Sequence, residues 1–421
     1  MNKKLKIGYV GLSHLGLNYL AASAKKNFFV IGVDQNNKRV KNLERNIFEY
    51  KEPNLNNIII KNKKNIIFSN DFKRLYECDL VFISQDVQTD SKGNSDHKSL
   101  SKMIYKAIKN MNRNSILIVL SQMKPGFIRS IKMNHKNLYH QVETLIFGKA
   151  VNRALNPERI IIGCENKFRN IDKRYLKYLK KFNCPIIKMG YESAEITKIS
   201  INLLLASSIT TTNILSEICE KFSADWSEIL PALRLDKRIG KFSYIKPGLG
   251  ISGGNIERDI VTTLKLFKQN SKPKQFLNNF IENSNHMKLW IKRVLENENI
   301  LGKKTKISVG IIGASYKENT NSIKNSPIIN LLKYFKKNSE IRIYEPSLKL
   351  KLTNKKISQI NDLQFLLDNS GLIIIIRPWT NKKEIKKISK SSINKYVIDP
   401  FRVVQIKNKN KKVKKYFTIG K

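Results

Sequence analysis

Two short stretches of this chain carry residue types at spacings that imply chemistry. The first is GLSHLG, Gly11 to Gly16, which follows an apolar run and precedes a helical pattern, with Asp34 closing the next apolar run. In such an arrangement glycines permit a tight turn, a helix N-terminus meets a diphosphate, and the acid takes ribose hydroxyls. Gly11, Ser13, His14, Leu15, Gly16 and Asp34 are therefore the expected dinucleotide contacts. Ser13 stands where the middle glycine would be and narrows the backbone approach. An acid at position 34 favours NAD over NADP, although Lys38 and Arg39 follow it closely.

The second stretch is GISGGNIERD, Gly250 to Asp259. Its small residues let backbone come close to a ligand, and Asn255, Arg258 and Asp259 face whatever comes close. A third feature is a lone charge: Lys198 in SAEITKISINLLLA interrupts an otherwise apolar and hydroxylic helical pattern, where a charge needs a reason. Asn202 lies one turn further along the same face.

The elements that must position these residues follow from periodicity. KIGYVGL, FFVIGVD, NIIFS, LVFIS and ILIVLS read as strands, with helical stretches such as VKNLERNIF between them. Strands spaced by helices predict an α/β fold with a parallel sheet wound on both faces, a Rossmann-like domain over residues 1–192. From about Ser193 the pattern turns to long helices, extending through HMKLWIKRVL with Gly250 to Asp259 as a glycine-rich loop; residues 193–300 form the expected central helical domain. KISVGIIGA, EIRIYEP, GLIIII and KYVIDP then predict a smaller α/β domain over 301–421.

Composition narrows the function. A chain of 421 residues is too long for one core, and 41% hydrophobic with 27% charged residues is ordinary for a folded protein. The net charge of +46 has two readings. One is compositional drift toward Lys, Asn and Ile, as in KNKKNIIF; the other is a polyanion-binding patch, for which the tail KNKNKKVKKYFTIGK is the densest stretch. No nucleic-acid motif supports a nucleic-acid partner. Four cysteines without a CxxC pair or a histidine at ligand spacing imply reduced buried thiols, no metal, and a cytoplasmic setting. No leader pattern opens the chain, and no apolar run approaches the ~20 residues of a membrane span, so a soluble protein is expected.

With these residues in place, the chain from about Ile7 to Arg402 resembles the UDP-glucose/GDP-mannose dehydrogenase family. KIGYVGLSHLGL, IGVDQNNKRVKNL, KEPNL, SQDVQTDSKGNSD, QVETLIFGKA, NPERIIIG, SAEITKISINLLLA, LDKRIG and GASYKENTNSIKNSP each resemble a family motif. The resemblance implies NAD-dependent oxidation of a nucleotide sugar at an alcohol carbon, a homodimer formed through the central helix, and a setting in polysaccharide biosynthesis. It implies that Lys198 and Asn202 hold the reacting oxygen, that Glu143 is the base through water, and that Asp259 orders that water. Gln122 and Lys324 would lie near the cofactor, and Lys246, Arg238, Gly250 and Lys317 would hold the substrate. One departure matters most. Aligned on PGLG and Asp259, Asn255 stands where the family's nucleophilic cysteine is expected, and Arg258 replaces a lysine. The thiol serves the second oxidation, so its loss leaves two expectations: a two-electron dehydrogenase, or a non-catalytic member that binds nucleotide sugar or NAD.

Overall fold

Runs of β-branched and aliphatic residues fix the strands, and a glycine or polar residue ends most of them. The computed structural model describes residues 4–87, 90, 95–301, 307–318, 320, 322–335, 340–404 and 413–421. Parts of the SQDVQTDSKGNSD, GASYKENTNSIKNSP and KNKNKKVKKYFTIGK segments therefore lie outside the described residues. The chain divides into two units, Met1–Ile201 and Asn202–Lys421.

The first unit holds eight strands: β1 (Lys6–Val10), β2 (Phe29–Val33), β3 (Ile66–Ser69), β4 (Leu80–Ile83), β5 (Ile116–Val119), β6 (Leu138–Gln141), β7 (Ile160–Cys164) and β8 (Ile186–Gly190). They form one sheet in the order β3-β2-β1-β4-β5-β6-β7-β8, parallel except between β6 and β7. Helices α1 (His14–Lys25), α2 (Asn37–Glu44), α3 (Leu55–Lys61), α4 (His97–Asn110), α5 (Ala150–Leu155) and α6 (Lys173–Leu179) connect the strands. Alternation along β1 serves two cores: Ile7 and Tyr9 pack on one face, Val10 on the other. Strands β6, β7 and β8 are additions to the sequence expectation; β6 and β8 are short or carry polar residues, which hides them from a search for apolar runs.

Helix α7 (Tyr191–Lys221) runs through the division between the units. It is long and apolar enough, by length and composition, to cross a membrane, a property that a search for uninterrupted apolar runs misses. Its polar side chains Glu195, Lys198, Asn202, Asn213 and Ser216 are nonetheless buried, as in a helix that builds a protein core. In the second unit follow α8 (Trp226–Leu235), α9 (Asn255–Leu264), α10 (Lys272–Lys288) and α11 (Trp290–Asn297). The expected Gly250 to Asp259 loop is corrected here: Gly253, at φ +80°, and Gly254 end the irregular stretch, and α9 starts at Asn255. Glu257 in its first turn complements the helix dipole and favours that start.

Among the described residues the second sheet has six strands rather than the four expected: β9 (Val309–Ile312), β10 (Ile341–Tyr344), β11 (Ile357–Ile360), β12 (Leu372–Ile375), β13 (Tyr396–Ile398) and β14 (Lys415–Phe417). Their order, β11-β10-β9-β12-β13-β14, repeats that of the first six strands of the first sheet, and all are parallel. Helices α12 (Ile328–Tyr334), α13 (Leu363–Asp368) and α14 (Lys382–Ser391) cover this sheet. The basic tail is thus partly strand: β14 pairs with β13, and Gly420 N–H donates to Glu220 at 2.9 Å. That part of the tail is committed to the fold rather than to a polyanion.

Close packing of β7 on the first turn of α7 sets where Lys198 sits. A Cβ on Gly163 would lie 2.8 Å from Ala194 Cβ and 3.2 Å from Tyr191 Cα. Gly163→Ala is expected to cost about 1–3 kcal/mol, read from the urea midpoint at constant m-value. An unchanged midpoint would show that α7 is free to shift away from β7.

Candidate active site

The dinucleotide turn is built by two glycines with distinct tasks. Gly11 adopts φ +92°, and a Cβ there would meet Gln85 at 2.8 Å. Gly16 lets α1 pack on the turn, since a Cβ would sit 2.0 Å from Gly11 O. Ser13 is tied inward, its hydroxyl donating to Ser84 O at 3.1 Å and accepting from Asp86 N–H at 2.9 Å. Asp34 closes β2 as expected and accepts from Leu12 N–H at 2.8 Å and Asn36 N–H at 2.8 Å. Arg39 also pairs with Asp34, at 3.1 Å. This cradle fits a dinucleotide: the turn requires glycine, the helix end follows it, and the acid lies at the end of the second strand.

His14 is placed differently from an open cofactor contact. Its imidazole is buried, lies 2.9 Å from Glu52 Oε2, and stacks on Phe147 with centroids 4.0 Å apart. Only its backbone faces the turn's role. Glu52 also accepts from Gly148 N–H at 2.9 Å and Ala150 N–H at 2.8 Å. Burial alone would raise its pKa, but these donors outweigh burial and hold the carboxyl below its ordinary range. Glu52 thus clasps the start of α5 to the start of α1.

Lys198, Glu143 and Gln122 line one small pocket in the first unit, with His140 and Glu195. Lys198 Nζ lies 3.2 Å from Glu143 Oε1, and Glu143 Oε2 accepts from Leu145 N–H at 2.8 Å. An ammonium and a carboxylate in contact, both largely shielded, can stabilise an alkoxide and accept its proton. Glu195 and His140 are functional neighbours that sequence reasoning missed. Glu195 accepts from Gly126 N–H at 2.7 Å and Ile128 N–H at 2.9 Å, fixing the segment after β5. Its signal was visible: an acid three residues before Lys198 in the same apolar pattern. Burial raises the Glu195 pKa against the pull of those amides. His140 Nδ1 donates to Val119 O at 2.9 Å, and burial pushes its pKa down to about 4.

The second unit brings together Asn202, Arg258 and Asp259. Asn202 Nδ2 donates to Asp259 Oδ2 at 2.5 Å, and Arg258 Nε donates to Oδ1 at 3.2 Å. Asp259 is 1% exposed, so these donors stabilise a carboxylate that water alone does not solvate. Asn255, by contrast, is exposed at the first position of α9. Gly250 is at φ +74°, and a Cβ there would meet Ser284 O at 2.4 Å. Lys324 lies against this loop: its carbonyl accepts from Gly253 N–H at 3.0 Å, and its side chain covers Gly254. Lys317 follows Tyr316, whose ring packs over Gly253. Lys246 and Arg238 are exposed, and Arg238 pairs with Asp236 at 2.6 Å, apart from the Asp259 cluster's hydrogen bonds.

A parallel sheet with a dinucleotide turn, and a shielded lysine–carboxylate pair, define a nicotinamide-dependent oxidoreductase. The chain belongs to the UDP-glucose/GDP-mannose dehydrogenase family: its NAD binding, central and UDP binding domains match residues 5–182, 192–286 and 310–406. UDP-glucose 6-dehydrogenase of Campylobacter jejuni is 28% identical over 392 residues, covering 91% of this chain and 97% of that protein. UDP-glucose 6-dehydrogenase TuaD of Bacillus subtilis is 22% identical over 408 residues, covering 93% and 87%. The solved UDP-glucose dehydrogenase of Pyrobaculum islandicum superposes with a TM-score of 0.83 at 20% identity over 95% of each chain. The UDP-D-ManNAc dehydrogenase of Pyrococcus horikoshii gives 0.79 at 18% identity over 99% of each. The protein is an NAD-dependent nucleotide-sugar dehydrogenase by family.

The depressed His140 pKa has a stability consequence. Between pH 6.5 and about 4 the unfolded chain binds a proton at this site that the native chain refuses, so stability falls as pH falls. His140→Asn, which keeps a donor toward Val119 O, is expected to lose roughly 2 kcal/mol less than wild type between pH 7 and 5. Equal losses in urea titrations of the two proteins would remove His140 as the cause.

Proposed function

We propose that this protein oxidises a nucleoside-diphosphate sugar at one alcohol carbon in a single two-electron step. The observation that carries this reading is the exposed Asn255 at the first position of α9, where the family resemblance expects the nucleophilic thiol. NAD, when bound, takes the hydride. Lys198 holds the reacting oxygen and stabilises it as it becomes an alkoxide. Glu143, 3.2 Å from Lys198, accepts the hydroxyl proton directly or through water. The alcohol carbon thus loses a proton through its oxygen and a hydride from carbon, and a carbonyl compound leaves. Within the second unit, Asp259 fixes the amide of Asn202, and Arg258 balances its charge. An amide at position 255 donates a hydrogen bond to oxygen but does not add to an aldehyde, so no thioester forms.

The reading includes a homodimer. Along α7 and its end, Ile196, Leu204, Ile214, Ile218 and Phe222 are exposed, Leu204 at 71% and Phe222 at 77%. So much apolar surface on one helix favours burial against a second copy.

The test is stoichiometry. Purified protein incubated with NAD and a panel of UDP- and GDP-sugars is expected to yield one NADH per sugar consumed and a carbonyl product by mass. Two NADH with a carboxylate would overturn the two-electron reading, and NAD binding without turnover on any sugar would move the protein to a binding role. Asn255→Cys is expected to restore a second equivalent of NADH. Lys198→Ala is expected to lower kcat by at least about 10²-fold with NAD affinity unchanged.

A further inference from the structure

An acid of the chain itself lies where the cofactor's diphosphate is expected. The first N–H groups of a helix have no partner within it, which makes the α1 N-terminus an anion site. One of them, Leu15 N–H, donates to Asp86 Oδ2 at 3.1 Å. Asp86 follows β4, and its own N–H donates to Ser13 Oγ, which in turn donates to Ser84 O. Ser13, at the position of the motif's middle glycine, therefore ties down the backbone that presents the carboxylate.

The groups around Asp86 come from three segments. His14 stands beside it on α1, with Glu52 behind His14. Tyr50 approaches from the segment before α3, itself facing the Asp34–Arg39 pair, and Glu143 from the segment after β6. Solvent reaches Asp86, yet the crevice crowds it. That crowding raises its pKa, against the Leu15 amide and His14, while Glu143 adds to the rise.

We propose that Asp86 is an affinity-setting residue for the cofactor: its carboxylate competes with the dinucleotide diphosphate for the N-terminus of α1. Two anions do not share one helix end at short range, so the diphosphate binds as Asp86 takes up a proton. Binding that takes up a proton weakens as pH rises, by up to about tenfold per unit. The inference concerns NAD alone and holds whichever sugar is oxidised and however many electrons leave it.

The experiment measures Kd for NAD and for ADP-ribose from pH 5.5 to 8.5 at fixed ionic strength, on wild type, Asp86→Asn and Asp86→Ser. Wild type is expected to bind both ligands progressively more weakly toward high pH. Both variants are expected to bind roughly fivefold or more tightly than wild type at pH 8, with a flat profile. A flat wild-type profile, or variants no tighter than wild type, overturns the proposal. So does a slope that persists in both variants, which would assign the proton to His14 or Glu143 instead. Two substitutions of different size, each checked by circular dichroism, separate loss of charge from loss of fold. Absence of binding in all three proteins at every pH would overturn the cofactor site along with this inference.

Discussion

One buried carboxylate sets the geometry of the first unit's chemistry. Glu195 is 2% exposed and accepts two backbone N–H groups, one from the exposed Gly126 and one from the buried Ile128. A helix as apolar as α7 has many nearly equivalent rotations about its axis, because apolar contacts are non-directional. Two charge-assisted hydrogen bonds remove that freedom, since rotating α7 by one residue would break both and leave the buried Ile128 amide unpaired. Lys198, one turn further on, is thereby aimed at Glu143 rather than at solvent. The cost is a carboxyl whose charge burial opposes, and the two amides are what make it tolerable.

The two sheets share an order and a device, but they use the device differently. Gly313 takes φ +93°, as Gly11 takes +92°, and the acid Glu345 follows β10 as Asp34 follows β2. Glu345 is wholly consumed by its own turn: it accepts from Ala314 and Ser315 N–H, the Ser315 hydroxyl and Ser347 N–H. Those donors hold its pKa down although burial would raise it, and Arg377, buried and stacked on Trp379 at 4.0 Å, lies 3.7 Å away. The amides that a dinucleotide turn offers to a phosphate are thus spent internally in the second unit. A shared strand order does not carry a common ligand, which agrees with a UDP binding domain at residues 310–406.

Much of this was legible in the residues. Strands β4 and β5 are uninterrupted, fully buried apolar runs and β1 to β3 are nearly so, as a parallel sheet buried on both faces requires. The dinucleotide turn and the long helix were equally plain. What stayed hidden had physical reasons. β11 (ISQI) and β14 (KYF) are short edge-region strands held by pairing rather than by composition, and α9 begins after two glycines that read as loop. Glu52 and Asp86 were unmarked because their roles come from backbone amides distant in sequence, 96 and 71 residues away. His14 read as a cofactor residue because its motif position is fixed, whereas its side-chain direction is decided by Glu52 and Phe147.

On the proposed reading, position 255 is where a single substitution removes one reaction and leaves another supported. The first residue of a helix is where a thiolate is best stabilised, because the amides there and the helix dipole favour negative charge. On that reading Asn255 takes the place of the group that would carry that charge and leaves the helix end intact, with Gly254 as an N-cap that offers no competing side chain. Glu257, the one acid of the first turn, is turned toward Asn325 instead. An oxyanion can still be stabilised at such an end, whereas a covalent adduct needs a nucleophile that an amide does not supply. Alcohol oxidation calls only on the first of these properties, and oxidation through a thioester calls on both. On this reading the chemistry stops at the carbonyl because the electrostatics of the helix end survive and its nucleophile does not.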